Sequence, residues 1–243
     1  MTTTMRAFMF LALLAATACA QDWRHADRSS AKIAPLPADE PRALVQVYAA
    51  RAVSWRGGFA VHTWIAIKEK NAPSYEVMQV VGFRLHHGLP ALMDEPSEPD
   101  RRWFGKTPTL ILDIRGEKAE SAIAKIHKAV ADYPYRDAYR VWPGPNSNTF
   151  TSYVLRAAPE LGIDLPSNAI GRDWLIHGRP VAFSETGTGV QLSLLGVLGA
   201  TVGLRDGVEV QVLGLDFGVD FFRPALKLPI FGRIGMRAAP QPN

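Results

Sequence analysis

Two parts of the chain alternate apolar and polar side chains with a period of two residues, which is the pattern of β-strands. In the first part, residues 59–68, His62 and Trp64 share one face of the predicted strand. In the second part, residues 190–221, the apolar set moves from even to odd positions at Leu213-Gly214, and a one-residue shift of this kind indicates a β-bulge. These two separate regions of the chain are therefore expected to form β-sheet.

The segments around the first region complete an α+β domain. Leu44–Ala50 and Tyr75–Phe83 are rich in β-formers and, with residues 59–68, predict an antiparallel meander. Thr109–Arg115 is a further strand, and Glu117–Tyr133 has the apolar spacing of a helix that Pro134 ends. We expect an antiparallel sheet with packed helices, followed by a Gly-rich β extension.

The run from Thr186 to Leu204 carries no charge and is long enough to raise the question of a membrane span. Its many glycines, together with Gln191 and Ser193, favour a buried β-hairpin over a spanning helix.

The N-terminus has the three parts of an export signal. Arg6 supplies the positive charge, Ala7–Ala16 is an apolar stretch too short to span a bilayer, and small residues follow it. Two cleavage sites fit: one before Gln21, and one before Cys19, where a lipid would then be attached as in bacterial lipoproteins. We expect export, either to the periplasm or as a membrane-anchored lipoprotein of a bacterial cell envelope.

Cys19 is the only cysteine, so after either cleavage the chain has no free thiol and no intrachain disulfide. A cysteine nucleophile is excluded. The predicted organisation is a signal peptide at residues 1–20, a tether at 21–42, a core at 43–176 and the β extension at 177–243, packed on the core.

Composition and motifs exclude several classes of function. A net charge of +4, scattered along the chain, does not indicate a nucleic-acid partner. No HExxH, paired-cysteine, G-x-S-x-G or P-loop motif is present, so we predict no cofactor. Adjacent His86 and His87 would point in opposite directions on an extended chain, and we predict no metal site. The sequence does not indicate an oligomeric state.

Two short segments carry the candidate chemistry. His62 lies in the middle of a predicted strand, and Ser147 lies where a Pro/Gly-rich loop enters a helix, whose first N–H groups can stabilise an anion. A hydroxyl there and an imidazole from a neighbouring strand form the minimum nucleophile and base. The alternative is that His62 is a structural strand residue and that the Asn-Ser-Asn sequence only caps the helix. We predict His62 and Ser147 as catalytic residues, and the predicted ligand-binding residues are Trp64, Trp142, Asn146, Asn148 and Thr149.

The order of these motifs, His62-Thr63-Trp64-Ile65 followed by Asn146–Phe150, resembles the circularly permuted papain-like proteins, among them PPPDE-type peptidases, lecithin retinol acyltransferase-like enzymes and NlpC-like peptidases. This resemblance implies a papain-like fold in which Ser147 replaces the nucleophilic cysteine. It assigns no third residue to orient His62, although Glu76, Asp113 and His87 are candidates by position. More specifically, Trp142–Phe150 and Leu226–Gly235 resemble a bacterial family of unknown function, number 3750, over about residues 44–235.

Three functions follow as expectations. The first is an envelope hydrolase or acyl or peptidyl transferase that uses Ser147 and His62. The second is an inactive member of the same fold that binds an envelope peptide, glycan or lipid. The third is a structural or assembly protein, anchored to the membrane by a lipid on Cys19, whose β extension contacts the partner.

Overall fold

The structure, a computed structural model, describes residues 25–236. The predicted export signal and Cys19 lie outside the described residues. No helix within 25–236 is both long enough and apolar enough to cross a bilayer.

A five-stranded antiparallel sheet forms the first layer. Its strands are β1 (Leu44–Arg51), β2 (Val61–Lys68), β3 (Glu76–Val80), β4 (Leu92–Pro96) and β5 (Thr109–Arg115). Its first three strands form the predicted meander, and the predicted strand at residues 109–115 pairs with β1. The edge strand β4 was not predicted, because its apolar residues give way to Asp94-Glu95-Pro96 after only two positions. Across the sheet the strands lie in the order β4-β3-β2-β1-β5.

Two helices cover one face of this sheet: α1 (Glu117–Asp132) and α2 (Ser147–Ala157). Both lie where the sequence predicted a helix. Their apolar stripes pack against alternate residues of β1 and β2, such as Val47 and Ile65, and this contact forms the main core. The mixed helices and antiparallel sheets confirm the α+β class.

The opposite face of the sheet carries a second apolar cluster that includes Tyr48 and Trp64. Residues 25–42, which were predicted as a tether, lie on this side. Ser30 Oγ donates to Asp100 Oδ1 at 2.7 Å, and Tyr75 donates to the Pro35 carbonyl at 2.8 Å. These bonds fix the described part of that segment to the core.

The C-terminal region forms its own seven-stranded antiparallel meander rather than adding strands to the first sheet. Its strands are β6 (Val181–Phe183), β7 (Gly189–Leu194), β8 (Leu198–Gly203), β9 (Gly207–Val212), β10 (Leu215–Asp220), β11 (Ala225–Leu228) and β12 (Gly232–Gly235). The phase shift at Leu213-Gly214 is a two-residue hairpin turn, not a bulge, because Val212 pairs with Leu215 across it. Both turn residues have positive φ, as a type I′ turn requires.

The faces of this second sheet are inverted relative to an ordinary β-layer. Polar strand residues such as Gln191, Glu209 and Asp216 are buried, whereas the alternate apolar residues, such as Leu192 and Val210, are exposed. The predicted hairpin over residues 186–204 is therefore present as β7 and β8, but its apolar face is not buried.

The inversion has a local cause in the loop that leads into the sheet. Arg172 is buried there, donates to Glu209 Oε2 at 2.8 Å and lies with its Nε 3.4 Å from Asp216 Oδ2. Lys227 donates to Asp164 Oδ2 at 2.6 Å in the same layer. Because Arg172 comes from the core side, the acidic strand residues point inward to pair with it, and the alternate apolar residues point outward. Lys227 is itself a residue of β11 and points inward with the acids.

Candidate functional site

Asn146 organises the start of α2. Its side-chain oxygen accepts from the backbone N–H groups of Asn148 at 2.9 Å and Thr149 at 3.2 Å, and its side-chain nitrogen donates to the carbonyls of Val141 and Ile170. Thr149 Oγ1 in turn accepts a hydrogen bond from the Asn146 N–H, and the two residues together form a capping box. The predicted cap is present, and it occupies two of the N–H groups that we expected to be available to a ligand.

Asn148 connects α2 to strand β2. Its side chain accepts from Thr63 Oγ1 at 2.9 Å and donates to the Val61 carbonyl at 2.9 Å. These bonds hold the first turn of the helix against the start of the strand that carries His62.

Ser147 is the first residue of α2 and is almost fully buried, with 3% of its surface exposed. As the first helical residue, its N–H has no acceptor within the helix. Within residues 25–236, neither this N–H nor the hydroxyl makes a hydrogen bond. The residue lines a cavity, so both groups can be offered to a ligand there.

His62 is held rigidly on the other side of the same cavity. Its Nε2 lies 2.8 Å from Gln79 Oε1, and its ring stacks on Trp103 with 3.6 Å between ring centroids. Because a carboxamide oxygen only accepts, Nε2 carries the proton and Nδ1 keeps a free lone pair. Burial lowers the pKa of His62 to about 4, and the hydrogen bond with Gln79 opposes this shift only in part. The imidazole is therefore neutral at neutral pH.

The cavity has a volume of about 840 Å³ and a largely aromatic wall. It opens at the end of the first sheet. His62 and Thr63 project to opposite faces of β2, and Thr63 is directed at α2. His62 and Ser147 therefore reach the cavity from opposite faces of the sheet. No hydrogen bond joins the His62 ring to Ser147, although both line the space. The aromatic wall consists of Trp55, Phe59, Phe83, Trp103, Phe104, Tyr139 and Trp142.

The structure places most of the predicted site residues in this cavity. His62, Ser147, Trp142, Asn146 and Asn148 line it. The other two lie behind its wall. Trp64 stacks on Tyr48 and donates its indole N–H to the Pro99 carbonyl at 2.7 Å, and Thr149 donates its hydroxyl to the Gly171 carbonyl at 2.7 Å.

None of the three positions considered as a partner for His62 contacts it. Asp113 pairs with Arg115, Glu76 lies near His127, and His87 lies in a separate turn. The partner is Gln79, which sequence reasoning missed because glutamine belongs to no catalytic motif. One signal was available: Ile65 lies opposite Met78 in the antiparallel meander, and continuing this register by one residue puts Gln79 opposite Trp64, on the face of His62.

No group of His, Cys, Asp and Glu side chains within the described part of the chain is arranged to hold a metal ion.

Comparison with known proteins gives one match. A family model described as "Protein of unknown function (DUF3750)" matches residues 42–174, which is more than half of the chain. The match includes the first sheet, both helices and every residue of the site, and it ends before the second sheet. The resemblance we expected over residues 226–235 lies outside it. No curated protein and no solved structure matches the chain.

Proposed function

We propose a function from the cavity itself, because the chain belongs to the DUF3750 family of proteins of unknown function and this membership supplies no activity. The protein is an exported cell-envelope hydrolase, or an acyl or peptidyl transferase, in which Ser147 is the nucleophile and His62 the base. The observation that carries the proposal is that one cavity contains an unpaired hydroxyl at a helix start and a neutral imidazole with a free Nδ1. Gln79 has the role of a positioning residue.

The proposed reaction follows from these groups. Ser147 Oγ attacks the carbonyl carbon of an ester or amide while His62 Nδ1 accepts the hydroxyl proton. The oxyanion that forms faces the Ser147 N–H, which is the unpaired donor of the helix start. Collapse expels the alcohol or amine, which takes the proton from His62. Water, or an acceptor alcohol or amine, then removes the acyl group from Ser147.

The element order adds support of a weaker kind. A strand histidine that precedes a nucleophile at a helix start resembles the permuted papain-like proteins, and we include that relationship in the proposal. An imidazole oriented by a neutral carboxamide suits a thiolate partner better than a hydroxyl, so we expect slow chemistry at Ser147.

A serine-directed fluorophosphonate tests the proposal. We expect it to attach one phosphonyl group to Ser147, identified by peptide mass spectrometry, and we expect labelling to be lost in Ser147→Ala and to fall at least tenfold in His62→Gln. Ser54 is the matched control, because it lines the same cavity but begins only a five-residue 3-10 helix. Labelling should be unchanged in Ser54→Ala. Absence of labelling between pH 5 and pH 9 would reject the enzyme.

One observation favours a second function, ligand binding without turnover. His62 makes no hydrogen bond to Ser147, and a pKa of about 4 makes it a weak base. The aromatic wall would still bind an apolar or aromatic envelope ligand. Quenching of tryptophan fluorescence by a hydrophobic ligand that is recovered unchanged, with no labelling of Ser147, would support this function. Loss of the quenching in Trp142→Ala would place the ligand in the cavity.

A further inference from the structure

The outer face of the seven-stranded sheet is apolar across its whole width. The strand register aligns outward residues into rows, one of which contains Phe183, Val190, Val202, Val208, Val219 and Leu226. Two further rows contain Leu, Val, Ala and Phe, and no charged side chain is exposed on this face. With strands about 4.8 Å apart and about 3.3 Å per residue, the face measures on the order of 600 Å², at the top of the range for the largest apolar patch on a monomer.

The apolar surface continues past the strands into the turns. At one end of the sheet, Leu195, Leu213 and Phe231 project with about half or more of their surface exposed. At the other end, Leu204 and Phe221 do the same. Turn tips in a water-facing sheet are usually polar, so this surface is suited to an apolar environment.

The surface charge of the same region has one sign. Every acidic residue between 177 and 236 is buried: Glu185, Asp206, Glu209, Asp216 and Asp220. The lysine of this region, Lys227, is also buried. Three further arginines lie outside the strands: Arg179 precedes β6, and Arg205 and Arg223 lie in turns. Within the described residues, none of the three forms an ion pair. The perimeter of the apolar face is therefore cationic.

We propose that this face docks on an anionic lipid bilayer. Apolar side chains at the centre and arginines at the perimeter match the acyl chains and the anionic headgroups of such a surface. A second copy of the chain fits less well, because pairing two faces would bring two cationic perimeters together. The inward-facing acids, fixed by Arg172 and Lys227, commit the apolar residues to the outer side.

Vesicle flotation tests the docking. The full chain carries Cys19→Ala in every sample, so that no attached lipid contributes, and all variants keep the same N-terminal sequence. Vesicles of phosphatidylcholine with 30% phosphatidylglycerol are compared with vesicles of phosphatidylcholine alone. Val210 and Phe217 are paired across strands and about half exposed, so aspartates there disturb the face without entering the core. We expect Val210→Asp/Phe217→Asp to lower the partition coefficient at least tenfold.

The matched control places the same two changes elsewhere. Leu36 and Leu89 are also exposed but lie outside the sheet, and Leu36→Asp/Leu89→Asp should bind within twofold of the parent chain. Since one basic residue near an anionic surface contributes about 1 kcal/mol, Arg205→Gln/Arg223→Gln should lower binding to the phosphatidylglycerol vesicles about tenfold or more. Its binding to phosphatidylcholine alone should not change.

Three results would overturn the proposal. The first is that the parent chain binds neither kind of vesicle, and the second is that Val210→Asp/Phe217→Asp binds as well as the parent. The third is a parent chain that binds no vesicle but forms a dimer, which Val210→Asp/Phe217→Asp converts to a monomer. The last result would assign the face to a second copy. Unchanged far-UV circular dichroism of the variants confirms that the comparison concerns the face and not the fold.

Discussion

Replacement of Arg172 by methionine removes the central cation of the buried layer between the core and the second sheet. Its guanidinium lies among four carboxylates, those of Asp173, Glu185, Glu209 and Asp216, whose residues are at most 3% exposed. Glu209 keeps a second cation, Lys227, but Asp216 loses its ion pair. Removal of one partner from a buried pair costs about 3–5 kcal/mol, because the remaining charge has neither water nor a counterion.

We therefore expect Arg172→Met to lower the free energy of unfolding by about 4 kcal/mol at pH 7.5, measured by urea denaturation with an unchanged m-value. Asp216→Asn in the same chain should restore about half of this loss, because it removes the carboxylate left without a partner. Burial already holds the pKa of Asp216 well above its usual range, so the loss should also be smaller at pH 5.5.

Lys128→Met is the control, since Lys128 and Asp132 form an exposed i,i+4 pair whose removal should leave the urea midpoint at the wild-type value. A loss below about 1 kcal/mol in Arg172→Met, or an additive loss in the double variant, would refute the view that Arg172 determines which face of the sheet is buried.

Three further predictions concern the site and its support. Asn146→Ala should cost about 2 kcal/mol in urea denaturation, because it removes the helix cap and the donor to the Val141 carbonyl, whereas the Ile170 carbonyl still accepts from Asn148 Nδ2. Gly171→Ala should lower the thermal midpoint and abolish labelling of the site serine, since its φ is +102° and an added Cβ would lie 2.3 Å from Asn146 Nδ2; Gly58→Ala, where nothing lies within 4 Å, should change neither. Burial raises the pKa of Asp173 to about 6, so its stabilising contribution is complete below about pH 4 and is lost as the pH rises through 6. Asp173→Asn should thus be more stable than wild type by about 1–3 kcal/mol at pH 8 and show no advantage near pH 4, whereas an equal effect at both pH values would contradict this assignment.

The sequence allowed the local elements of the first sheet to be predicted. Alternation in residues 59–68 placed His62 and Trp64 on one face, and the Asn-Ser-Asn sequence placed a cap and a helix start at Ser147. These features depend on neighbouring residues alone, since strand periodicity and cap chemistry act over three or four positions.

The features that were missed depend on contacts between distant parts of the chain. Alternation in β7–β10 shows which residues share a face, but it does not show which face is buried. That choice is made by Arg172, a loop residue whose cationic role appears only in three dimensions. Gln79 was missed for the same reason, because its pairing with His62 follows from the register of β2 and β3.

The pH dependence of phosphonylation at Ser147 tests the proposed site most directly. If His62 is the base, the second-order rate constant should rise about tenfold per unit below pH 4 and be constant above pH 5, following the lowered pKa of that imidazole. Gln79→Glu should move this inflection to higher pH, because a carboxylate stabilises the imidazolium. An inflection near pH 6.5 in the parent chain, or a profile that His62→Gln leaves unchanged, would contradict the assignment of His62 as the base for Ser147.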